Sequence, residues 1–275
     1  MSCLLASMPR NSMKNWSLFP PRTRAAQVDE RWSFVGKKEH NCDPSDPLDR
    51  FKGDDWDHTA IDPEHRLLLS LVPGKRTAEN CQRVIDEVKQ RTYGRTDILF
   101  TSDEHPPYRI AIEKAYSVAV PQEKKPGPGR PPNPTRVMPP DLGYATVHKT
   151  REKGRVVRVT RSVVFGTLAV ITALLESTAA GGKINTSYVE RNNGTERGQN
   201  SRKIRKTYRF SKEWEIHNAA SFFSGFSYNF CWPVRTLRDK NSEGSWQPRT
   251  PAMSAGLTDH VWSLDEWVLY PARAG

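Results

Sequence analysis

Between residues 66 and 120 the chain switches hydrophobic period repeatedly, and this alternation restricts its fold more than any other feature. Residues 66–72 form a near-continuous apolar run closed by Pro73-Gly74, which predicts a buried strand ending in a turn. Residues 77–90 take up helical spacing, with Cys81, Val84, Ile85 and Val88 on one face and Thr77 placed to cap the first turn. A short strand over 97–102 delivers Asp103 at its carboxyl end, just before the His105-Pro106-Pro107 turn. A helix holding Glu113 then runs to about residue 114, and 117–120 is another strand. Upstream, residues 27–35 alternate as a strand: Val28, Trp32 and Phe34 share one face, Asp29, Arg31 and Ser33 the other, and Glu30 interrupts the apolar side. Strands and helices in this order predict an α/β domain with a mixed sheet.

The rest of the chain is less regular. Residues 1–25 show no period and contain three prolines, as a loosely held leader would. Residues 43–64 carry eight acids interspersed with prolines and are expected to be a surface loop. Residues 121–140 are proline-rich and cationic, hence an extended arm, and its Gly129-Arg130-Pro131 core resembles a minor-groove hook. A strand over 155–165 and a helix over 167–175 complete a basic insertion spanning 121–183. The domain is therefore expected to comprise 26–120 and 184–235, followed by a tail over 236–275.

The charge narrows the partner. Lys and Arg number 42 against 31 Asp and Glu, a net charge of +11. Residues 121–161 alone hold ten cations against three acids. Clustered positive charge without a long basic amphipathic helix points to nucleic acid rather than a membrane surface. The longest apolar stretch, 163–175, is shorter than the roughly 20 residues a bilayer requires. Four scattered cysteines with no C-x-x-C pair indicate neither a zinc knuckle nor a disulfide framework, and suit a reducing cytoplasm.

Residues 183–212 set nine Lys/Arg against only Glu190 and Glu196. At helical spacing Glu190, Asn193, Arg197 and Ser201 share a side, which is a usable catalytic face. Ser187 and Glu190 could equally form a capping box, and Asn192-Asn193-Gly194 is better turn material than helix interior. Cleavage of a phosphodiester needs charge neutralised on the attacking and leaving oxygens, which divalent cations held by carboxylates achieve. A strand acid (Asp29), a strand-end acid (Asp103) and a helix acid (Glu190) could converge for that purpose. No phosphate-binding G-x-x-x-x-G-K-[ST], H-E-x-x-H or G-x-S-x-G motif is present.

The segments VDERWSFVGKK at 28–38, TDILFTSDEHPPY at 96–108, and SYVERNNGTERGQNSRK with RFSKEWEIHNAA up to residue 220 resemble the transposases of the insertion-sequence-one family. The resemblance extends to a tail, YNFCWPVRTL at 228–237 and PRTPAMSAGL at 248–257, which is similar to the Tyr-Asn … Thr-Pro ending of many bacterial transposases and integrases. The resemblance implies a ribonuclease-H-like catalytic domain and a metal-binding catalytic triad of Asp29, Asp103 and Glu190. Mg2+ (or Mn2+) would be the cofactor, and DNA strand cleavage and transfer the reaction. Arg197 matches a cation placed toward the DNA end, and Arg202, Lys203, Arg205, Lys206, Arg209 and Arg130 are expected to grip phosphates. Homo-oligomers on DNA, at the nucleoid, are implied as well. The family's N-terminal zinc-binding, DNA-reading region has no counterpart in 1–25. That departure suggests a separate reading domain from an upstream frame, or a truncated, inactive copy that only binds DNA. Trp232 and Val234 also stand where an Arg and a His are commoner.

Overall fold

The computed structural model describes residues 23–122, 132–178 and 180–270. In chain order the strands are β1 (Ala25–Val35), β2 (Gly53–Asp62), β3 (Leu67–Gly74), β4 (Leu99–Ser102), β5 (Val118–Val120), β6 (Thr135–Val137), β7 (Gly143–Glu152), β8 (Arg155–Phe165), β9 (Asp239–Lys240) and β10 (Trp246–Gln247). The helices are α1 (Ala78–Arg91), α2 (Pro106–Tyr116), α3 (Leu168–Glu176), α4 (Ser187–Gln199), α5 (Trp214–Cys231), α6 (Pro251–Ser254) and α7 (Leu264–Leu269). Six strands make one mixed sheet in the order β3-β2-β1-β4-β7-β8. β1, β2 and β3 pair antiparallel, β4 and β7 run parallel to β1, and β8 returns antiparallel. Helices flank this sheet, as expected of a ribonuclease-H-like α/β fold.

Both faces are covered for reasons visible in the strands. Val28, Leu67, Leu69, Phe100 and Tyr144 point to one side, where α1 contributes Val84, Ile85 and Val88 and α2 contributes Tyr108 and Ile112. Burying each such side chain stabilises by roughly 1.5–3 kcal/mol. Thr77 accepts from the Asn80 N–H and so caps α1 as expected. On the other side Leu68 and Leu71 pack against Phe226 and Phe230 of α5, with Ala252 of α6 and Trp267 of α7 closing the cluster. Gly225 permits that approach, because a Cβ there would lie 2.7 Å from a Leu71 methyl.

Three expectations need correction. Residues 53–62 are not loop but β2, a central strand. Its alternating Asp55 and Asp57 face Ser33 and Arg31 across the β1 ladder, so these acids meet buried partners rather than water. Residues 143–165 are not set apart in an insertion: β7 and β8 extend the same sheet, and Tyr144, Ala145 and Val147 are buried in it. The arm over 121–140 is partly structured, since β5 and β6 pair as a small antiparallel ribbon. Its Arg130 lies outside the described residues, as do residues 1–22 of the leader, while Ala25 already belongs to β1. No helix among the described residues is long and apolar enough to cross a membrane.

Candidate active site

β1 and β4 pair only from Ala25↔Leu99 to Gln27↔Thr101. Beyond that point the strands part, and the gap between them opens a cleft of about 590 Å3. Asp29, two residues past the last pair, and Asp103, just after β4, both line it. The third wall is α4. Its first backbone N–H groups would be orphaned, but the Gln27 side chain on β1 caps them from across the structure. Gln27 Oε1 accepts from the N–H groups of Tyr188 (3.0 Å) and Val189 (3.1 Å), and its Nε2 donates to the Asn185 carbonyl (2.8 Å). The strand that carries Asp29 thereby fixes where α4 begins. Glu190, Asn193 and Arg197 consequently face the same cleft, and the Asn-Asn-Gly run continues as helix because Asn192 and Asn193 are buried.

The anticipated capping box is not formed. Ser187 Oγ donates to Asn185 Oδ1 (2.7 Å), whereas Glu190 Oε1 accepts from Thr186 Oγ1 (2.6 Å) and from the Lys149 ammonium of β7. Asn193 Nδ2 donates to Asp29 Oδ2 at 2.8 Å and orients that carboxylate. Oxygens of Asp29, Asp103 and Glu30 all lie within 4.8 Å of one another. Glu190 lines the cleft but stands outside that close cluster, partnered by Lys149. Ser201 has left the helix and opens a short 3-10 turn.

Electrostatics leave this cluster short of positive charge, although Arg76 pairs with Glu30. Burial pushes the Asp29 carboxyl up to about 7, and repulsion from Glu30, Asp103 and Glu190 acts in the same direction. Burial, then Glu30, also raises Asp103. Two carboxylates held this close without a cation between them, one ordered by an amide, suit a hard, oxygen-seeking divalent ion such as Mg2+. Arg76, Arg197 and Arg205 complete the wall. Arg197 is half-buried and its pKa is lowered by burial and by Arg205.

The expected phosphate-gripping cations divide. Arg205, Lys206 and Arg209 are exposed, and Arg202 is half-buried. Lys203 is not a surface cation at all: only 1% of it is exposed. Its ammonium donates to Asp57 Oδ1 (2.8 Å) and approaches His217 Nε2 (2.9 Å), inside a buried group that also holds Arg31, Asp55 and Glu196. Burial alone would raise the Asp57 carboxyl, but Lys203 and Arg31 hold it well below the usual range. The buried roles of this layer and of Glu30, and the pairing of Lys149 with Glu190, escaped sequence reasoning. The available signal was the period-two acids in DDWDHTAID, masked by their density.

A scan against models of known families finds no match, and a search of curated proteins finds none. Among solved structures the chain is similar to a Mos1 transposase paired-end complex with left transposon end, at 19% identity over 39% of this chain and 41% of that one, with a TM-score of 0.22. It is also similar to a pre-cleavage Mos1 transpososome, at 16% identity over 42% of each chain, with a TM-score of 0.23. The chain thus spans about two-fifths of the length of those structures' chains.

Proposed function

We propose that the chain is the catalytic part of a DDE-type transposase that cuts DNA and transfers the freed end. The observation that supports this reading is that Asp29, Asp103 and Glu190, 74 and 87 residues apart in sequence, all line one cleft that also holds arginines. Asp29 and Asp103 would hold a divalent ion, Mg2+ or Mn2+, with Glu190 lining the same cleft. When bound, that ion supplies neutralisation of charge on the attacking and leaving oxygens of the phosphodiester. Asn193 keeps the Asp29 carboxylate turned into the cleft. Arg197 and Arg205 sit where they can bind the flanking phosphates, positioning the strand without reading its bases. A freed 3′-hydroxyl would then attack a second duplex, and a homo-oligomer on DNA would bring the two ends together. Assignment to the insertion-sequence-one family rests on the sequence segments quoted above.

A second reading, DNA binding without cleavage, is favoured by one observation: Glu190 is engaged by Lys149 rather than joined to the aspartates. Nicking of a labelled duplex in Mg2+ decides between them. The parent protein should cut, and Asp29→Asn, Asp103→Asn and Glu190→Gln should each abolish cutting while retaining duplex binding. A Glu190→Gln variant that cuts like its parent removes Glu190 from the site. Salt-sensitive binding with no cutting by the parent selects the second reading.

A further inference from the structure

Glu30 sits beside Asp29 on β1 and lines the deep end of the same cleft, where its side chain is only 2% exposed. One oxygen, Oε2, accepts from Arg76 at 3.0 Å. The other, Oε1, is buried without a close donor, and the groups nearest the Glu30 carboxylate are the buried Tyr108 hydroxyl and His105. A buried carboxylate oxygen held without a close donor is a costly arrangement that a bound cation would relieve. The groups facing Oε1 are informative. His105 Nε2 lies 3.6 Å away, and Oε1, that nitrogen and the Cys81 sulfur can all be within 4.8 Å of one another. Cys81 comes from the buried face of α1, and His105 from the turn that leads into α2.

We propose that Glu30, Cys81 and His105 form a second cation site, suited to a borderline transition ion of the Zn2+ class. A carboxylate, a thiolate and an imidazole are the donors such an ion prefers, whereas Mg2+ would avoid the sulfur. The site goes beyond the functional reading above and does not rest on it. Arg76 occupies Oε2 and so orients the carboxylate with Oε1 inward, as outer partners of metal ligands do. The consequence for the cleft is direct. The backbone N–H of His105 donates to Asp103 Oδ1 at 3.1 Å, so an ion that pins His105 also pins the loop presenting Asp103. β1, α1 and the β4–α2 turn would be joined at one point.

The test uses the full chain, stripped of metal by a chelator and titrated with Co2+ as a spectroscopic probe. With excess Mg2+ present to occupy Asp29 and Asp103, the parent should bind one equivalent of Co2+ and show the near-ultraviolet charge-transfer absorbance of a cobalt–thiolate bond. Cys81→Ala should lose that absorbance, and His105→Asn should need roughly tenfold or more Co2+ to reach half-saturation. Should Cys81→Ala fold poorly, the rise in melting temperature on adding Zn2+, present in the parent and lost in the half-buried His105→Asn, gives a second readout. Binding without the absorbance, or absorbance that survives Cys81→Ala, overturns the proposal. Asp29→Asn separates the two readings, because it should abolish Mg2+-dependent nicking and leave the cobalt–thiolate signal unchanged.

Discussion

Asp29 ties the site to the stability of the whole protein. Its carboxyl titrates near 7 in the folded chain, against 3.8 for an ordinary aspartate. Between those values the folded chain keeps a proton that the unfolded chain releases. The stabilisation from this group is therefore complete below the unfolded value and is lost as pH rises through 7. Without divalent cation, the parent should lose up to about 4 kcal/mol relative to Asp29→Asn between pH 4 and pH 8, as an order of magnitude. Urea unfolding of both proteins across that range measures it, and a constant difference would contradict the raised Asp29 carboxyl. Lys203 carries the opposite lesson. Replacing it with Met leaves Asp57 buried and short of a cation, at a cost of about 3–5 kcal/mol. Arg209→Ala, on the surface, should stay within about 0.5 kcal/mol. Denaturant midpoints compare the two. In the sequence these cations look alike, because a dense basic run has no period from which burial can be read. What distinguishes Lys203 is Asp57, 146 residues away.

Elements with strong periods were legible, and those with mixed ones were not. α1 and its Thr77 cap, the strand over 27–35 and the strand leading to Asp103 all follow from local pattern. β2 was hidden because its inward acids answer buried cations, and β7 because a proline-rich segment and a charge cluster surround it. α4 has little amphipathy of its own, and its register depends on Gln27. Gln27→Ala should cost about 1–2 kcal/mol through the two freed N–H groups. It should also reduce nicking more than duplex affinity, since the helix carrying Glu190 loses its tether to β1. Single-turnover cleavage alongside equilibrium binding separates the two effects. The β7–β8 hairpin sets Lys149 and Arg151 on the cleft wall and leaves β8 exposed along most of its length. Exchanging Arg151, Arg155 and Arg158 for Ala should weaken binding to unrelated duplexes alike. The slope of log K against log salt should become shallower by about 2.7, from about 0.9 per phosphate contact. An unchanged slope would show that the hairpin stays clear of DNA.

Across the molecule, the tail is part of the core rather than an appendage. Ala252 and Trp267 bury against Leu68, Leu71, Phe226 and Phe230 on the face of the sheet opposite α1 and α2. Trp267→Ala should therefore cost about 3–5 kcal/mol although it lies far from the cleft, and thermal melts would register it. A tail that merely trails from the domain would tolerate the change. The sheet itself has a narrow waist. One leaf, β3-β2-β1, and the other, β4-β7-β8, are joined by the three residue pairs of β1 and β4, and the acids lie just past the last of them. Mechanically this is a two-leaf spring clamped at one end. Any widening of the cleft would have to come from the leaves bending beyond Gln27 and Thr101, with the three pairs kept as the hinge and the shared core under α1 and α2 resisting the bend.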